Sequence, residues 1–131
     1  MPLYVDRRGL PILRLRYIGR YSDDELLQFL SEIDSVLKLP GRKACMIDLI
    51  AAKAGNARQR RLQGDWIHQN EELLARDFSA VAIVTDSAVM RGVVTAVFWI
   101  RPLPIPTCVA ATTGDAERWL APYIVDLMPT G

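Results

Sequence analysis

Hydrophobic and polar residues alternate along Leu13-Arg14-Leu15-Arg16-Tyr17, a two-residue period that predicts a strand with one face in a core and its arginines toward solvent. The run Leu3 to Val5 precedes it across Asp6-Arg7-Arg8-Gly9, whose charge and glycine suit a connection, so an opening hairpin is expected with its second strand inside Leu10 to Tyr17. The period then lengthens. Leu26, Leu27, Phe29, Leu30, Ile33, Val36 and Leu37 recur at helical steps, after Ser22 and Glu25 at capping-box spacing and before the stop at Pro40-Gly41. Ala44 to Ile50 is an apolar run broken only by Asp48, as expected of a central strand buried on both faces. A second helix opens at Asn56 and is expected to reach about Asp77, with Leu62, Trp66, Leu73 and Leu74 inward. Gly64 in its middle implies a close approach to that turn.

Ser79 to Thr85 reads as the next strand, and Asp86 or Ser87 as the N-cap of a third helix. This helix is apolar almost all the way round, with Arg91 its one charge. Val89, Val93, Ala96, Val97 and Ile100 form one stripe, while Met90, Val94, Phe98 and Trp99 extend around the cylinder, more than one sheet can cover. Gly92 offers room for another backbone. Pro102, Pro104 and Pro106 then enforce an extended link to a last strand, Thr107 to Ala111. Thr112 or Thr113 caps a final helix containing Trp119 and Leu120. The order β-β-α-β-α-β-α-β-α predicts an α/β fold: a mixed, mostly parallel sheet with right-handed crossovers and an antiparallel edge. At 131 residues the expectation is one domain, residues 1–131.

That order resembles the STAS domain of anti-anti-sigma factors and of sulfate-transporter tails. More closely, the C-terminal half resembles the bacterial SpoIIAA-like family, through Ala80-Val81-Ala82-Ile83-Val84, Ala96-Val97-Phe98-Trp99-Ile100 and Asp115-Ala116-Glu117-Arg118-Trp119-Leu120. The resemblance implies a STAS-like mixed sheet with helices packed on it, in proteins mostly without an assigned activity, some of which look like lipid-binding Sec14 relatives. It does not imply catalysis. Phosphorylatable STAS proteins place an aspartate after the third strand, matched here by Asp48, and a target serine at the start of the next helix. From Leu49 to Phe78 this chain has no serine, threonine or tyrosine, so no hydroxyl there can take a phosphate.

Sixteen Lys and Arg against 15 Asp and Glu give a net charge of +1, which argues against a nucleic-acid partner. Cys45 and Cys108 lie in aliphatic runs and read as small buried hydrophobes of a reduced, cytoplasmic protein. The N-terminus lacks the order of a secretory signal, and no apolar run is long enough to span a membrane. With one histidine, His68, read as a helix-surface residue, and two distant cysteines, no metal or other cofactor is expected. Glycine patterns for nucleotide phosphates are absent.

Three sets of residues remain as candidates. Asp48, Asp86 and Ser87 follow parallel strands, where α/β domains place crevices, and would serve a hydrolase-like site; Asp86 is equally well explained as a cap and Asp48 as a turn residue. Arg58, Arg60 and Arg61, with Lys53 and also Arg42 and Lys43, form a weak anion patch, or else a solvated helix face. Met90, Val94, Phe98 and Trp99, with Leu103 and Ile105 of the proline segment, mark an apolar surface for a partner or a ligand. The leading expectation is a non-enzymatic interaction or regulatory module working through that surface, with a second copy or another regulatory protein as partner. The alternative is a small carrier holding an apolar or lipid-like molecule between the third helix and the sheet, lined by Trp66, Phe98 and Trp99.

Overall fold

Strand order in the sheet follows chain order. The computed structural model describes residues 2–100 and 102–125, with the side chain of Ile100 outside the described residues. β1 (Leu3–Asp6) pairs antiparallel with β2 (Ile12–Tyr17). β3 (Lys43–Asp48), β4 (Phe78–Val84) and β5 (Thr107–Ala110) then add in parallel, giving β1-β2-β3-β4-β5. The connections are α1 (Asp23–Leu37), α2 (Ala57–Gln69) with α3 (Glu71–Asp77), and α4 (Ala88–Ile100); α5 (Thr113–Val125) follows β5. This is the mixed, mostly parallel α/β sheet expected, with the second predicted helix divided in two.

Side-chain alternation along the strands sorts the core into two layers. Leu13, Leu15, Cys45, Val81 and Ile83 face one side, where they meet Leu26, Phe29, Leu30 and Val36 of α1, Leu74 of α3 and Val94 of α4. Ala44, Met46, Ala80, Ala82 and Val84 face the other, covered by Ala116 and Leu120 of α5. The connecting helices all lie on the first face, and among the described residues α5 alone covers the second.

Local chemistry sets the boundaries. Ser22 and Glu25 form a reciprocal capping box at the start of α1, and Asn56 and Gln59 do the same for α2. The long helix expected over Asn56–Asp77 breaks at Asn70, whose side-chain amide donates to the Trp66 carbonyl at 2.8 Å; a short polar side chain competing for backbone groups redirects the chain there. The new axis buries Leu74 but leaves Leu73 exposed, so Leu73 is not part of the inward stripe. The third predicted helix is α4. Its cap is Ser87, whose Oγ accepts from the Met90 N–H at 3.2 Å, and Thr112 caps α5 by accepting from Asp115 N–H at 3.1 Å.

The orientation of α4 differs from the stripe first drawn. Met90 and Val94 are buried and Val93, Val97 and Phe98 half-buried, whereas Val89 and Ala96 point outward with Trp99. An almost uniformly apolar helix admits several stripes, and its contacts, made mainly with α2, select this one. Among the described residues nothing lies within 4 Å of a Cβ built on Gly92 to use the room there.

Candidate ligand-binding site

Beneath α4 the helical layer does not close on the sheet. A cavity of about 190 Å³ opens there. Its floor is Leu13, Leu15, Cys45, Ile47, Val81 and Ile83 from β2, β3 and β4; its walls include Leu30 and Ile33 of α1 and Trp66 and Ile67 of α2. Its roof is Met90, Val94, Val97 and Phe98, with Leu103 and Ile105 of the proline segment at the rim. Trp66 is held in place because its indole N–H donates to Asp34 Oδ1 at 2.9 Å.

Polarity is confined to one end. The Tyr17 hydroxyl donates to Gln63 Oε1 at 3.0 Å, and Gln63 Nε2 donates to the Tyr21 hydroxyl oxygen at 3.3 Å. Lys53 and Arg60 line the same end, Arg60 donating through Nη1 to the Gly55 carbonyl. Beyond it is a second hollow of about 200 Å³, walled by Arg20, Asn56 and Gln59 together with Tyr21, Lys53, Ala54 and Gly55, which border both. Gly55 has no room to spare. A Cβ there would come within 2.8 Å of Gln59 Oε1 and 2.9 Å of the Tyr21 hydroxyl oxygen.

The thiol and phenols of the cavity wall are held neutral. Burial pushes the Cys45 thiol up to about 12. Burial also raises the Tyr17 phenol, with Tyr21 and Cys45 adding to it, and raises that of Tyr21 against the opposing effects of Gln63 and Arg60. Away from the end lined by Lys53, Arg60 and Gln63, the cavity thus presents hydrocarbon, a protonated thiol and phenols. That surface suits retention of an apolar molecule and supplies no general base.

The structure distributes the three candidate sets unequally. Met90, Val94, Phe98, Leu103 and Ile105 come together around the cavity, while Trp99 stands apart on the outer face. Of the arginines, only Arg60 reaches the cavity: Arg58 pairs with Asp23 at 3.2 Å and Arg61 is exposed on the helix. Arg42 and Lys43 are not part of this basic group. Lys43 starts β3 and Lys53 follows its far end, so the strand separates them, and Lys43 Nζ is spent on the carbonyls of Leu39 and Gly41. Asp48 accepts from the Ile50 amide at 2.9 Å and lies 3.7 Å from Arg16; Asp86 is exposed; the Ser87 hydroxyl caps α4. None of these three lines the cavity. His68 sits on the helix surface, 3.3 Å from Glu71. Among the described residues no three His, Cys, Asp or Glu side chains cluster as a metal site would require, and no helix is long and apolar enough to cross a membrane. Sequence reasoning missed Tyr17, Tyr21 and Gln63. Their only signal was a glutamine on a helix face that points at the sheet.

No protein-family model matches the chain, and no curated protein matches its sequence at a significant level. Solved structures do match in fold. An uncharacterized protein from the DUF3478 family with a SpoIIAA-like fold, from Shewanella loihica, superposes with a TM-score of 0.68 at 15% identity, over 90% of this chain and 91% of that one. The chain thus has a SpoIIAA-like fold.

Proposed function

We propose that this SpoIIAA-like domain is a non-enzymatic binding module that holds a small apolar molecule between α4 and the sheet, as a carrier or as a regulator whose occupancy is read by a partner. The observation that carries the reading is the cavity of about 190 Å³, bounded on the floor, walls and roof by hydrocarbon. An apolar void of roughly 150 Å³ is already enough to take up a benzene ring, so the volume matches a ligand of about six to eight carbons. No reaction is assigned, because the Ser87 hydroxyl is engaged as a cap and neither Asp48 nor Asp86 borders the cavity. The two free thiols agree with a cytoplasmic setting. Calorimetric titration with 1-octanol tests the proposal. Saturable one-to-one binding with a negative heat-capacity change is expected, abolished in a folded Val97→Phe variant whose ring fills the space. Absence of saturable binding, or binding unchanged by Val97→Phe, overturns it.

A second reading is favoured by a separate observation. Val89 is 75% and Trp99 86% exposed on the outer face of α4, which also carries Gly92 and Ala96. Association of that face with a second copy, or with another regulatory protein, would remove it from water. The two readings are compatible, since one helix would then touch ligand on one side and partner on the other.

A further inference from the structure

We infer that the molecule held in the cavity is an anionic amphiphile, a short hydrocarbon tail under α4 with its carboxylate or phosphate head in the second hollow beside Lys53, Arg20 and Tyr21. The inference rests on the apolar-ligand reading and specifies its chemistry. The hydrocarbon chamber adjoins a polar compartment of similar volume, about 200 Å³, and Tyr21, Lys53, Ala54 and Gly55 line both. Among the described residues, every charged residue lining either space is a cation: Lys53 and Arg60 in the first, Arg20 and Lys53 in the second. Neither Lys53 nor Arg20 forms an ion pair with an acidic side chain among the described residues, whereas neighbouring Arg58 is already paired with Asp23.

Tyr21 supplies the directional element. Its hydroxyl oxygen accepts from Gln63, whose amide is oriented by the bond it accepts from Tyr17, and the Tyr21 proton has no acceptor among the described residues. A donor at the junction, flanked by cations, is what a carboxylate or phosphate head needs once its tail has drawn it out of bulk water. A cationic head would meet like charge. A neutral head would leave the cations unused. Gly55, which lines both hollows, packs so closely on Tyr21 and Gln59 that a side chain there would collide with them.

The test compares heads on one tail. Octanoate, octyl phosphate, 1-octanol and octylamine are titrated into the intact chain by calorimetry at low ionic strength, and into Lys53→Glu and Lys53→Gln variants. Lys53 has an exposed side chain, so both should fold. Octanoate or octyl phosphate is expected to bind at least about tenfold tighter than 1-octanol, with octylamine weakest; whichever anion is tighter identifies the head. Lys53→Glu should remove that advantage, and Lys53→Gln should have an intermediate effect. Equal binding of 1-octanol and both anions, insensitive to Lys53, overturns the head assignment while retaining the apolar site. Failure of all four compounds to bind overturns the apolar-ligand reading itself.

Discussion

One side of the sheet is carpeted with alanine and is closed; the other carries leucine, isoleucine and valine and is hollow. On the first, Ala44, Ala80 and Ala82 let α5 lie almost directly on the strands, so that Ala116 and Leu120 are fully buried. On the second, long side chains keep the helices at a distance, and the gap is filled only where α1 supplies Leu26, Phe29 and Val36. Beneath α4, Met90, Val94, Val97 and Phe98 do not fill the gap and the space stays open. Hydrophobicity alone therefore does not close a core. Closure depends on whether side-chain volume matches the separation of the layers, and interiors feel a mismatch of even one methylene.

Adding bulk to each face should separate them most sharply. Ala82→Leu, beneath α5, is expected to cost about 3 kcal/mol because the added carbons have nowhere to go, whereas Val97→Leu beneath α4 should change stability by less than about 1 kcal/mol. Urea unfolding of the two variants checks this, and similar losses at both sites would break the comparison.

A smaller effect concerns pH. Cys45 and Tyr17 both face the hollow side, and burial raises both above their unfolded values. A group with a raised folded pKa contributes its stability fully below the unfolded pKa and loses it as pH climbs through the folded one. For Cys45 the loss begins near the ordinary thiol value, about 8.5, and continues toward about 12, at up to roughly 1.4 kcal/mol per pH unit. Denaturation under reducing conditions from about pH 7 to about pH 10.5 should show that decline, and Cys45→Ala should flatten its early part. An unchanged slope in Cys45→Ala would place the sensitivity elsewhere.

The smallest stability change is expected at Trp99, which belongs to neither layer. Trp99→Asp should alter folding free energy by less than about 0.5 kcal/mol, as exposed substitutions do. It should nevertheless lower the light-scattering mass if α4 holds two copies together. A wild-type chain that is monomeric at high concentration removes the self-association reading.

Much of this fold is written in local periods and caps: Leu13, Leu15 and Tyr17 alternate as they pack, the box spacing at Ser22 starts α1, and Asn56 starts α2 as the N-cap expected there. The orientation of α4 was not legible, because a stripe is defined only against polar residues and α4 has almost none. The place of the cavity, between the third helix and the sheet with Trp66 and Phe98 in its lining, was the alternative the residues offered; its opening was not legible, since that depends on the distance between layers rather than on any residue's character. The basic group was half legible. Lys53 and Arg60 meet, but Lys43 is removed by the length of β3, a run of 6 residues that spans about 20 Å.

The agreement between strand order and chain order has a consequence for synthesis. Each strand after the first adds to the edge just made, so no strand waits for a later one and every crossover helix can settle as it emerges. Only the alanine face stays bare until α5, which follows β5, leaves the ribosome. Small side chains expose little hydrocarbon during that wait, so the growing domain is least adhesive on the one surface it must leave uncovered longest.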